Sequence, residues 1–176
     1  MVKVALRYST KQLKSFITAA ETAWLHVFDS GKEIDGSDEW TDEGVPMALL
    51  PPRFQSKRSI YLYFRRWWSA QYARRMVCNM PFYIRNGKRY VKLYDPPVFD
   101  PTATELEILK QTDRVLWLRV RLGKKEDEDI SEVVRYRLAL TEAGRKMTIT
   151  LRSGAAQDFR YQPCEGDRFA EEAHEE

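Results

Sequence analysis

The sequence predicts an α+β protein: two or three N-terminal helices packed on one curved antiparallel sheet. Three observations carry that prediction. An apolar stripe at helical spacing runs through the first thirty residues, an Asn-Gly pair separates two strand-like runs, and later runs alternate apolar and polar residues. At 176 residues, with 43 % hydrophobic and 31 % charged, the chain has enough apolar surface to bury a core.

Ser9 or Thr10 suits the cap of a first helix, along which Leu13, Phe16, Ile17, Ala20, Trp24, Val27 and Phe28 share one side. Ser30-Gly31 stops it, and His26 falls on the opposite side, toward solvent. Residues 32–52 read as an acidic loop containing Pro and Gly. Ser56 opens a second helix with Ile60, Tyr61, Phe64 and Trp67/Trp68 along one side. Continuing it would carry Arg75 into the apolar face, so Ser69 recaps the chain and Tyr72, Met76 and Val77 belong to a third helix.

Strands follow. Phe82-Tyr83-Ile84-Arg85 and the run from Arg89 to Tyr94 flank Asn86-Gly87, which fits a two-residue type I′ turn because both central positions need positive φ. Pro96-Pro97 and Pro101 precede a short strand around Leu106 to Gln111, and Thr112-Asp113-Arg114 makes the next turn. Leu116, Leu118, Val120 and Leu122 then alternate with Val115, Trp117, Arg119 and Arg121. Val134, Tyr136, Leu138 and Leu140 do the same against Arg135 and Arg137. After a turn at Glu142-Ala143-Gly144, Met147, Ile149 and Leu151 alternate with Thr148, Thr150 and Arg152, which puts Arg152 outward with the other strand arginines. The organisation expected is a single domain over residues 1–157 and an acidic, disordered tail over 158–176.

The net charge of +3 averages over segregated blocks. Residues 29–43 hold seven acids and one lysine; residues 46–94 hold no acid, eleven Lys or Arg and eleven aromatics; the last twelve residues hold six carboxylates. Such asymmetry points to an anionic partner, or to a fold in which acidic segments cover the basic one. The binding residues are then Arg65, Arg66, Arg74, Arg75, Arg85, Lys88 and Arg89 of the centre, with Arg119, Arg121, Arg135 and Arg137 of the strands. An acidic protein or an anionic wall polymer is the expected partner. Nucleic acid ranks third, because the helix aromatics are needed for the core and the sheet lacks the paired aromatics of an RNA-recognition motif.

No catalytic constellation emerges. With His26 and His174 the only histidines, a nucleophile–histidine dyad or a His-based metal site has no support, and no catalytic residue, cofactor or metal is assigned. Asp35, Asp38, Glu39, Asp42 and Glu43 lack EF-hand spacing and read as solvated carboxylates. Cys78 and Cys164 read as unpaired thiols, with a disulfide pinning the tail to the helix as the alternative in an exported protein. The expected role is a non-enzymatic binding domain. The rival is a small-ligand carrier or enzyme with a pocket lined by Tyr90, Trp117 and Tyr136, although alternation points Trp117 outward. No run of about 18 apolar residues is present, so no membrane insertion is expected.

The order of features also resembles a known family. Leu13-x-x-Phe16-Ile17-Thr18-Ala19-Ala20-Glu21-Thr22-Ala23-Trp24 is followed by Phe54-Gln55-Ser56-Lys57-Arg58-Ser59-Ile60-x-x-Tyr63-Phe64. Then come Trp68-Ser69-x-x-Tyr72-Ala73 and Phe82-Tyr83-Ile84-Arg85-Asn86-Gly87-Lys88-Arg89-Tyr90. From Thr10 to Arg152 this resembles bacterial extracytoplasmic domains of the D,L-endopeptidase inhibitor group and, more loosely, the cystatin-like and nuclear-transport-factor-2-like α+β cones. The resemblance implies a cone-shaped fold, a place in the cell envelope, and a role in occupying the cleft of a cell-wall hydrolase without catalysis. The first residues, Met-Val-Lys-Val-Ala-Leu-Arg, lack an apolar signal core. An extracytoplasmic location therefore requires that a signal segment was removed; otherwise a cytoplasmic one is expected.

Overall fold

In chain order the elements are α1 (Thr10–Ser30), β1 (Trp40–Asp42), β2 (Val45–Leu49), α2 (Lys57–Phe64), α3 (Ala70–Cys78), β3 (Phe82–Arg85), β4 (Lys88–Lys92), β5 (Ala103–Gln111), β6 (Val115–Leu122), β7 (Glu132–Thr141) and β8 (Lys146–Arg152). The computed structural model that shows them describes residues 7–31, 40–93 and 99–164. Helices and antiparallel strands make the fold α+β, as the pattern predicts. The strands divide into two four-stranded sheets, sheet A in the order β1-β2-β4-β3 and sheet B in the order β5-β6-β7-β8. The chain accordingly clusters into two units: residues 1–22, 66–69 and 98–155, and residues 23–65, 70–97 and 156–176.

The first unit contains sheet B and the N-terminal part of α1. Ser9 caps the helix reciprocally: its hydroxyl accepts from the Gln12 N–H at 3.1 Å, and the Gln12 side chain accepts from the Ser9 N–H at 2.8 Å. Leu13, Ile17 and Ala20 are buried, as are Leu116, Leu118, Val120, Leu122, Val134, Tyr136 and Leu138 on the inner face of sheet B. The Ala103 N–H donates to the Thr18 hydroxyl at 3.0 Å, tying α1 to the start of β5. Residues 66–69 close the β8 edge: Trp68 pairs with Ile149 as an isolated parallel bridge, and its indole N–H donates to the Ala20 carbonyl at 2.9 Å.

The second unit contains sheet A, α2, α3 and the rest of α1. The Asn-Gly turn forms as predicted, with φ of 52° at Asn86 and 72° at Gly87. The 32–52 loop expectation needs correction. Residues 32–39 lie outside the described residues, but 40–49 form the β1–β2 hairpin, turning at Glu43-Gly44 with φ of 49° and 81°. β2 then pairs with β4, giving the Asn-Gly hairpin a sheet of its own. Gly31 ends α1 by close approach: a Cβ there would lie 2.9 Å from the Ala48 Cβ. α2 and α3 are separate, as expected, but α2 ends at Phe64, so Trp67 and Trp68 are not on the helix: the Ile149 N–H donates to the Trp67 carbonyl at 2.8 Å and Trp68 bridges to Ile149. Ser56 caps α2 by accepting from the Ser59 N–H at 3.0 Å.

Residues 158–164 do not form the expected disordered tail. Asp158 caps a 3-10 turn, Phe159–Tyr161, and Arg160 and Tyr161 are buried. The Asn79 side-chain amide donates to the Gln162 carbonyl at 2.9 Å, and Cys164 is disulfide-bonded to Cys78, with Cα atoms 6.4 Å apart. The two cysteines are thus paired and not free thiols, because burial of Arg160 and Tyr161 brings Cys164 to the end of α3. Residues 165–176, including His174, lie outside the described residues.

Candidate functional site

Alternation along β6 and β7 turns Trp117, Arg119 and Arg121 outward with Val133, Arg135 and Arg137. Register then decides which of these meet. Arg119 stands directly opposite Arg135, Trp117 opposite Arg137, and Arg121 opposite Val133. On the other side β5 supplies acid: Glu107 opposes Arg119 and pairs with it at 2.5 Å, while Glu105 opposes Arg121 and pairs with it at 3.1 Å. A shallow groove of about 360 Å³ runs along this face, lined by Glu105, Leu106, Glu107, Arg119, Arg121 and Val133. Arg137 donates to the Thr150 hydroxyl at 2.8 Å. Arg135 is exposed and has no carboxylate partner among the described residues.

Arg152 does not belong to this face. β8 carries a bulge opposite the Arg137–Leu138 step: Ile149 pairs with Leu138, Leu151 with Arg137, and Thr150 is the extra residue. One inserted residue inverts every later side chain, so Leu151 is exposed and Arg152 is buried. There its Nε donates to Glu21 Oε1 at 2.6 Å, and its Nη2 donates to Glu132 Oε1 at 2.9 Å. The Tyr136 hydroxyl donates to the same Glu21 oxygen at 2.5 Å. Glu21 is completely buried, four residues beyond Ile17 on the α1 stripe. That position was the available signal: a carboxylate on an apolar stripe demands a buried cation or donor.

Tyr90, Trp117 and Tyr136 therefore do not line one pocket. Trp117 and Tyr136 lie on opposite faces of sheet B, Tyr136 is engaged by Glu21, and Tyr90 is buried in sheet A.

The basic centre disperses in the same way. Arg66 belongs to the first unit and is exposed. In the second unit, Arg65 caps the C-terminal end of α2 and is half-buried, and Arg74 is exposed on α3. Arg75 lies over the Tyr72 ring at 5.8 Å and reaches the Tyr161 carbonyl at 3.5 Å. Arg85 and Lys88 are exposed at the end of the β3–β4 hairpin. Arg89 is only 3 % exposed and is corrected from a binding to a structural residue. Its Nε donates to the Gln55 carbonyl at 3.1 Å and its guanidinium lies 5.1 Å from the Phe82 ring centre. The Gln55 side chain in turn accepts from the Arg89 N–H at 2.9 Å and donates to the Leu50 carbonyl at 2.6 Å. What the fold does bring together is the Trp117, Arg119, Arg135 and Arg137 set on sheet B.

Among the described residues no helix is long and apolar enough to cross a membrane. The chain matches no protein-family model and no curated protein.

Proposed function

We propose that this protein is a non-catalytic binding module that captures an acidic partner on the outer face of β6 and β7. The observation that supports it is the direct opposition of Arg119 and Arg135, with Arg137 two residues further along. Like charges directly opposite on paired strands oppose sheet formation by a few tenths of a kcal/mol up to ~1 kcal/mol. Glu107 neutralises Arg119 alone, so the face keeps a positive excess beside the half-buried ring of Trp117. A carboxylate or phosphodiester chain laid across these strands would answer that excess with bidentate hydrogen bonds.

The partner is a protein surface or an anionic wall polymer. The family resemblance makes a cell-wall hydrolase in the bacterial envelope the foremost protein candidate. Arg135→Glu should lower retention of poly-L-glutamate and of teichoic acid about tenfold. It should also leave the melting temperature unchanged or raised, since the new carboxylate would face Arg119. Retention unchanged in a folded Arg135→Glu protein would overturn the proposal. Hydrolysis of peptidoglycan by a D,L-endopeptidase, followed with and without the protein, separates the two partners: undiminished hydrolysis removes the enzyme and leaves the polymer.

A further inference from the structure

A second surface lies in the second unit, and it does not rest on the reading of sheet B. Sheet A ends on β3, whose Tyr83 and Ile84 are 46 % and 56 % exposed. Across the two-residue turn, Arg85 pairs with Lys88, Ile84 with Arg89, and Tyr83 with Tyr90. In such a hairpin the closing pair and every second pair after it exchange backbone hydrogen bonds. Arg85 and Tyr83 therefore turn their backbone groups toward β4, and Ile84 turns its N–H and C=O toward the open edge. Beside the strand is a groove of about 340 Å³ lined by Lys57, Val77, Met80, Phe82, Ile84 and their neighbours. All of its lining residues come from the stretch 46–94, which contains no carboxylate.

A strand edge that is open among the described residues, a groove of mixed lining with Val77, Met80 and Phe82 as its apolar part, and cationic surroundings together specify an occupant. We propose that the β3 edge docks an extended acidic peptide of a partner protein. It would pair with Ile84 as an added strand of sheet A and place one apolar side chain in the groove. Its carboxylates would meet Lys57, Arg85 and Lys88. A second copy of this chain is disfavoured, because it would bring its own Arg85 and Lys88 to the same edge.

The test uses the full chain and a fluorescein-labelled heptapeptide, Glu-Val-Glu-Phe-Glu-Val-Glu, read by anisotropy at low salt, with a counterpart in which Lys replaces every Glu. The Glu peptide should bind and the Lys peptide should not. Ile84→Pro removes an N–H that β4 does not use and should weaken binding at least about tenfold with an unchanged melting temperature. Ile84→Glu tests the same edge should the proline variant fold poorly, and should weaken binding equally, because its carboxylate would repel those of the peptide. Repeating the measurement in an Arg135→Glu background removes the face of sheet B as an acidic-ligand site; binding that is sensitive to Ile84→Pro should persist there, which keeps the two surfaces distinct. No binding of the Glu peptide, or full binding by Ile84→Glu, overturns the proposal. So does a dimer in sedimentation that Ile84→Pro abolishes, since the edge would then serve a second copy.

Discussion

Arg152 in sheet B and Arg89 in sheet A are equally buried, at 3 % exposure each, and different chemistry surrounds them. Arg152 lies between two carboxylates, Glu21 and Glu132, with the Tyr136 hydroxyl completing the Glu21 site. Arg89 sits in a stretch that has no acid for 49 residues, and a backbone carbonyl and the face of Phe82 contact its guanidinium. A buried ion pair behaves as a unit, because deleting one member leaves the other charged and desolvated. A guanidinium resting on a carbonyl and a ring has neutral neighbours there, so its removal leaves no opposite charge stranded by those contacts. The same residue type thus completes a buried ion-pair cluster in one unit and rests on a carbonyl and an aromatic ring in the other.

Breaking the first arrangement should have the largest effect. Glu21→Ala is expected to lower unfolding stability by about 4 kcal/mol in urea titrations, whereas the double change Glu21→Leu with Arg152→Met should recover most of it. No recovery would mean that the cluster does more than neutralise itself.

The second unit relies on a covalent tie between positions 86 residues apart. Cys78→Ser should therefore lower stability by about 3 kcal/mol, and reductant should bring the parent protein to the same value. Thiol counting under denaturing, non-reducing conditions should find none free. The smallest of the three effects is expected for Arg89→Met, about 1–2 kcal/mol by the same titration. A loss as large as that of Glu21→Ala would erase the contrast between the two units.

Much of this was legible in the residues. The α1 stripe, its stop at Ser30-Gly31, the Ser56 cap and the Asn86-Gly87 turn are local, and each follows from side-chain spacing or from the φ a turn requires. Alternation in β6 and β7 placed Arg119, Arg135 and Arg137 on one face, so the candidate site on sheet B was visible residue by residue. Its key fact, that Arg119 faces Arg135, was not, because register depends on how two strands slide together.

The failures share that origin. β2 is a strand because β4 offers it a partner some forty residues later, which overrides an acidic context containing Pro46. Arg152 turns inward because one bulge at Thr150 shifts the alternation by a residue, and Glu21 waits on the far side. Residues 158–164 are ordered because Tyr161 and Arg160 find burial that composition alone does not reveal. By itself the sequence determined helix starts, turn types, the α+β class and the sign of charge along the chain, all set by interactions over a few residues. The tertiary structure decided how many sheets form, which arginines are exposed, and which carboxylates they meet, since those depend on contacts between residues far apart in the chain.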